Sequence, residues 1–266
     1  MIMDMITLIR TRKSVRTFDE RVISDTDREK LTEYINTITN PYDIPIDLVL
    51  MDAKEHGLSS PVIQGGQLYI AGKVPKVEHC EEAFGYTFEK MVLYAWSLGI
   101  GTTWIGGTMD RKLFEREAGV KNGEIMPCVS PLGYPAKKRS LKETAMRAGI
   151  KADKRKQNNE LFFENDFDSP LNEKNDIILK ALEAVRLSPS AVNKQPWRIV
   201  KCGNKFHFYE KHTLNRTGSA WDVQKVDMGI SVCHFMTIIG GKLSFEQLSA
   251  GVPDDTEYIA TVQIDI

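Results

Sequence analysis

Two short segments of this chain combine residue types that can hold charged or flat polar ligands. Near the start, Arg12-Lys13-Ser14-Val15-Arg16 alternates, so in an extended backbone Arg12, Ser14 and Arg16 project from one side while Lys13 and Val15 point away. Two guanidiniums with a hydroxyl between them can surround a phosphate, the arginines through forked donors and the serine through a short neutral one. The same spacing also suits an ordinary charged arm. About 175 residues later, Ser188-Pro189-Ser190-Ala191-Val192-Asn193-Lys194-Gln195-Pro196-Trp197 gathers Ser190, Asn193 and Gln195 between two prolines that fix the backbone. Asn and Gln carry both donors and acceptors, which reading the edge of a heterocycle requires. The competing reading is a rigid helix-to-strand turn, and Pro196 and Trp197 fit that turn best, with Trp197 as a core anchor.

The length of 266 residues suits two units of ordinary size. With 42% hydrophobic residues, 27% charged and a formal net charge of -1, nothing global calls for nucleic acid or anionic lipid. No run of roughly 18 apolar residues occurs and the first residues lack a secretory pattern, so the expectation is a cytoplasmic protein without a membrane partner. Cys80, Cys128, Cys202 and Cys233 show neither C-x-x-C nor His-partnered spacing. They are read as buried structural residues, with no metal site expected.

The elements that must position the two segments repeat. Ser24 and Asp27 open a helix whose apolar stripe (Leu31, Tyr34, Ile35, Ile38) stops at Asn40-Pro41. Alternation over 44–50 and an apolar run over 68–71 predict strands. Glu82 to Leu98 is apolar nearly all round and must be a buried helix, after which four glycines (Gly99, Gly101, Gly106, Gly107) permit close backbone approach or a sharp connection. A short helix over about 110–118 and an extended stretch over 127–133 follow. The second half replays this order: a helical stripe over 177–185 ending at Ser188-Pro189, strands over 197–200 and 205–209 flanking Gly203-Asn204, an apolar helix over 223–239 ending in Gly240-Gly241, and a closing strand over 259–266. Two such repeats most naturally pack as a pseudo-twofold pair with the long helices against one another. One domain with coincidentally similar helices is the alternative.

Between the repeats, residues 137–156 carry nine basic side chains against Glu143 and Asp153. The stretch is read either as a solvated connector or as a clasp on a ligand. As a nucleic-acid stripe it is weaker, because it contains no aromatic residue to stack on a base.

Together, Arg12-x-Ser14-x-Arg16-x-Phe18, Pro189-Ser190-Ala191-x-Asn193-x-Gln195-Pro196-Trp197, Leu98-Gly99-Ile100-Gly101-x-x-Trp104-Ile105-Gly106 and Leu132-Gly133-Tyr134-Pro135 resemble the FMN-dependent nitroreductase family, in its tandem, fused form. The order departs from the usual pattern. The first half reads Ile38-Thr39-Asn40-Pro41-Tyr42-Asp43-Ile44 where the Ser/Asn loop would stand, and the second half has no R-x-S-x-R segment.

The resemblance implies an α+β nitroreductase-like fold of two degenerate repeats, 1–160 and 161–266, packed as an intrachain pseudo-dimer around the long buried helices. It implies one complete FMN site and one vestigial site per chain. Arg12 and Ser14 would meet the FMN phosphate and Arg16 the ring. Gly106 and Gly107 would lie near the reactive N5 position, Lys154 and Arg155 would close over the phosphate, Ser190 and Asn193 would meet the ring edge, and Pro189 and Ala191 of the same loop would also bind the cofactor. No side chain need be a nucleophile, since electrons would pass from NAD(P)H through flavin N5 to a nitroaromatic, quinone or similar planar acceptor. A non-catalytic FMN sensor or carrier is the alternative. The fused chain is expected to be a monomer.

Overall fold

The computed structural model describes residues 4–214, 221–248 and 251–265. In chain order the elements are α1 (Met5–Thr11), α2 (Asp25–Ile35), β1 (Asp47–Asp52), β2 (Leu68–Pro75), α3 (Cys80–Ser97), β3 (Gly101–Thr102), α4 (Arg111–Glu117), β4 (Glu124–Ile125), β5 (Val129–Gly133), α5 (Leu141–Gly149), α6 (Asn158–Leu161), β6 (Phe162–Glu164), α7 (Asp176–Arg186), β7 (Trp197–Cys202), β8 (Lys205–Lys211), α8 (Val223–Ile239), β9 (Lys242–Ser244) and β10 (Thr256–Gln263). Two compact units result. One comprises Thr11–Cys80 and Thr87–Ala152; the other comprises Glu81–Tyr86 with the described residues of 4–10 and 153–265. The sequence reading divides the chain after residue 160, whereas the structure divides it after Ala152 and groups two early segments with the second unit.

In the first unit, Ser24 Oγ caps α2 by accepting the Asp27 N–H at 3.1 Å. Its sheet runs β1-β2-β5-β3, all antiparallel, with β4 pairing β2 off that path. Tyr69, Phe114, Met126 and Val129 close the core over one face. The second unit repeats the connectivity: α7, the β7–β8 hairpin across Gly203, then α8, with sheet order β6-β7-β8-β10-β9. Apart from the added parallel strand β6, both sheets place the first, second, last and third strands of the repeat in that order. The replay read from the sequence is therefore a replay of topology. Strand β10 ends at Gln263, short of the predicted range, and residue 266 lies outside the described residues.

Among the described residues no helix is long and apolar enough to cross a membrane. Helix α8 is instead apolar because protein covers every side of it, including Gln224, Asp227, Ser231 and His234. Its tightest neighbour is the start of α3. A Cβ on Gly85 would lie 2.1 Å from the Val226 carbonyl oxygen, and one on Gly229 would lie 2.0 Å from the Glu82 carbonyl oxygen. Real side chains do not survive such distances, so two backbones touch here, and this contact is what draws residues 81–86 into the second unit.

Gly229→Ala and Gly85→Ala should each cost about 3 kcal/mol or more, since the obstruction is backbone that cannot swing aside. Gly149→Ala at the end of α5, where nothing lies within 4 Å of the new Cβ, should be stabilising by roughly 0.5 kcal/mol. Urea denaturation midpoints of the three variants check both directions.

Candidate functional site

The arm segment runs extended beside β3, with the Val15 N–H bonded to the Thr102 carbonyl at 2.8 Å. Val15 fills the space beside Gly101, where a Cβ would lie 2.8 Å from it, and Lys13 is exposed. The alternation thus turns Arg12, Ser14 and Arg16 to the other side. The Arg12 side chain is only 5% exposed; its Nε lies 3.8 Å from Oε1 of the fully buried Glu89, whose Oε2 accepts the Trp104 indole N–H at 3.2 Å. Nε and Nη1 of Arg12 are buried without a hydrogen-bond partner. Burial lowers the Arg12 pKa, Glu89 opposes that shift and Arg147 adds to it. Arg16 behaves alike: burial lowers its pKa, against Glu143 and with Arg147. Among the described residues neither the Ser14 hydroxyl nor the Arg16 guanidinium has a hydrogen-bond partner. Guanidinium N–H groups held out of water and left unpaired are costly unless an acceptor arrives.

On the Lys13 and Val15 side of the arm opens a cavity of about 420 Å³, lined by Lys13, Thr17, Lys137, Lys138, Arg139 and Glu143 among others. The Glu143 carboxylate is used internally, accepting from Arg16 N at 3.2 Å and Thr17 Oγ1 at 2.8 Å and pairing with Arg139 at 3.5 Å. The basic run is therefore not a uniform connector. Its middle forms α5, capped by Ser140, and its first residues lie against the arm. Gly106 and Gly107 are exposed at the end of the glycine-rich stretch, and nothing lies within 4 Å of a Cβ on Gly107. Arg111 steadies this stretch by donating to the Gly106, Met126 and Pro127 carbonyls.

In the second unit, the Pro189–Pro196 loop is unusual in its backbone. Val192, Asn193 and Gln195 all have left-handed φ values of 43°, 59° and 53°, strain that a β-branched valine adopts only where its surroundings impose it. Several bonds impose it here. The Ala191 N–H donates to both oxygens of Asp227 at 3.1 and 3.0 Å, and Ser190 Oγ accepts the Gln195 N–H at 2.9 Å. Trp197 follows with no exposed surface, as a core anchor. The side chains of Asn193 and Gln195 turn to residues 154–156. The Ser190 hydroxyl proton has no acceptor among the described residues.

Within the first unit the structure thus gathers Arg12, Ser14 and Arg16, and carries Gly106 and Gly107 at the end of the stretch that starts beside the arm. Within the second it brings Lys154 and Arg155 to Asn193, on the loop that also carries Pro189, Ser190 and Ala191. Sequence reading missed Glu89, Arg111, Glu143 and Asp227. Glu89 and Asp227 stand out as charges in largely apolar helices and Glu143 follows Ser140 at capping spacing, while Arg111 lies in a stretch with no motif.

The architecture is that of the nitroreductase fold. A crystal structure described as a putative nitroreductase from Thermotoga maritima aligns with a TM-score of 0.64 at 20% identity, over 99% of this chain and 95% of that one. An FMN-dependent nitroreductase from Clostridium difficile aligns over 53% of this chain and 93% of its own, at 16% identity and a TM-score of 0.43. Residues 4–239 match the family model described as "Putative TM nitroreductase", and the chain belongs to that family. None of the curated proteins matches it.

Asp227 is buried entirely, and burial pushes its carboxyl well above the usual carboxylate range, against the Ala191 N–H and reinforced by Glu210 and Asp222. A carboxyl raised on folding contributes stability that is present below its unfolded value and lost as pH rises through the folded one. Thermal stability should therefore fall between about pH 4 and the raised value. Asp227→Asn keeps an acceptor for Ala191 and removes the titration, so its melting temperature should decline less over that window in thermal scans.

Proposed function

We propose that the chain is an FMN-dependent oxidoreductase that takes electrons from NAD(P)H and passes them to a planar acceptor such as a nitroaromatic or a quinone. The observation that carries this reading is the set of donors on the arm that make no hydrogen bond: Nε and Nη1 of Arg12, both buried, and, among the described residues, the Ser14 hydroxyl and the Arg16 guanidinium. That donor set fits an anionic group such as a phosphate. When bound, FMN supplies the redox chemistry, accepting a hydride and later giving up the electrons.

The protein's own part is binding, charge and exclusion of water. The proposed cofactor residues are Arg12, Ser14, Arg16, Gly106 and Gly107 in the first unit, and Lys154, Arg155, Pro189, Ser190, Ala191 and Asn193 in the second. Arg12 is held by Glu89 and aims its remaining donors at the phosphate. Arg16 places positive charge where reduction adds negative charge, which favours the reduced cofactor. Ser190 has a hydroxyl proton to give to the ring edge. Val192, 55% exposed at the tip of the strained loop, offers an apolar contact to a flat ligand. A cytoplasmic monomer remains the expected setting.

Anaerobic titration of the FMN-loaded protein with NADH and with NADPH should bleach the flavin absorbance with at least one of them. Bound flavin that neither nucleotide bleaches would leave a carrier or sensor rather than an enzyme. Arg12→Ala should weaken FMN binding by about 1.5 to 3 kcal/mol, the loss of a charge-assisted bond, as read by fluorescence quenching. Unchanged affinity would remove Arg12 from the phosphate.

A further inference from the structure

Residues 154–157 form a strap without helix or strand between α5 and α6. An irregular basic segment would ordinarily be loose, with lysine and arginine side chains carrying it into water. This one is tied down by two amides from far along the chain. Asn193 Nδ2 donates to the Lys154 carbonyl at 3.0 Å, and Asn193 Oδ1 accepts from Arg155 Nη1 at 3.3 Å. Gln195 Nε2 donates to the same Lys154 carbonyl at 3.3 Å, and Gln195 Oε1 accepts the Lys156 N–H at 2.9 Å. Each amide therefore gives both its donor and its acceptor to the strap, and together they engage three consecutive residues, Lys154, Arg155 and Lys156.

That commitment bears on what Asn193 can do. Reading a heterocycle edge takes a donor and an acceptor side by side on the amide, and here both already face the strap. The loop is in turn held by the rest of its unit. Arg198 Nη1 donates to the Gln195 carbonyl at 3.1 Å, the Gln195 N–H reaches Ser190 Oγ at 2.9 Å, and Asp227 of α8 grips Ala191. The left-handed backbone at Asn193 and Gln195 is retained in a geometry that serves the strap, and such strain persists where surrounding bonds over-determine it.

We propose that Asn193 and Gln195 are positioning residues that bolt the Lys154–Lys156 strap to the Ser190 loop, so that Arg155 is presented to the phosphate of the cofactor. The phosphate half of this inference rests on the FMN reading; the bolt itself does not. Asn193 then acts on the phosphate end of the ligand through Arg155, and the ring edge is left to Ser190.

The test uses the full chain and the variants Asn193→Ala and Gln195→Ala. Limited trypsin digestion read by mass spectrometry reports on the strap, because trypsin cuts after lysine and arginine. Cleavage after Lys154, Arg155 and Lys156 should be about tenfold faster in both variants, the order expected when hydrogen bonds holding a local segment are lost. Cleavage after Lys54, in an exposed turn of the other unit, should be unchanged, which separates a freed strap from a globally destabilised chain. The second measurement is affinity for FMN and for riboflavin, which lacks the phosphate. Asn193→Ala should lower FMN affinity about tenfold and leave riboflavin affinity unaltered. An equal loss for both flavins would put Asn193 at the ring and overturn the positioning role, and unchanged strap cleavage would overturn the bolt. If the wild-type chain bound neither flavin, the FMN reading and the phosphate role would fall together, while the cleavage comparison would still decide the bolt.

Discussion

The second unit depends on a contact made of backbone alone. Where α3 passes α8, Gly85 and Gly229 leave no room for even one methyl group, so the two helices approach as closely as peptide groups allow. The contact is steric before it is energetic. It sets the depth and rotation of α8, and two residues before Gly229 that rotation delivers Asp227 to the Ala191 N–H. From Asp227 the constraint passes to the strained turn at Val192, then through Asn193 and Gln195 to the strap at 154–156. A helix crossing thereby fixes the course of an irregular loop that has no secondary structure of its own to hold it.

The two motif segments solve opposite problems. In the first unit the arm is rigid in its backbone, paired with β3, while its polar side chains are left with donors to spare. In the second the side chains of the loop are largely spent on the protein. The electrostatics follow the same division. Arg12, Arg16 and Arg147 form a cationic group tempered by Glu89 and Glu143. Around Asp227 the like charges of Glu210 and Asp222 reinforce burial, which keeps the carboxyl neutral enough to sit inside the helix packing.

Periodicity made much of the fold legible. The helices α2, α3, α4, α7 and α8 and the β7–β8 hairpin fall close to where apolar spacing and Gly/Pro punctuation place them, and the repeated order of elements is a repeated sheet topology. Helix α5 was not legible, because its apolar stripe, Leu141, Ala145 and Ala148, is short and made mostly of small residues, and its signal, Ser140 followed by Glu143, is buried in a run of charge. Strands β3 and β4 are two residues long, too short for any alternation to register. The interleaving of the units could not be read either: α3 is one uninterrupted pattern, and nothing in it marks the six residues that group elsewhere. At the site, residue type revealed the arm and the loop but not their employment. Gln195 and Asn193 look like ligand readers in the sequence, and only geometry shows their amides turned toward a strap about forty residues earlier. Glu89 and Asp227, which hold the two segments in place, lie far from either motif.

The proposal to be tested most directly is that the chain binds a single FMN. Loading the full chain with excess FMN, removing what is free, denaturing it and measuring released flavin against protein concentration tests that claim in one number. The account predicts a ratio close to one flavin per chain. A ratio near two would contradict the vestigial second site, and a ratio near zero would contradict the flavin itself.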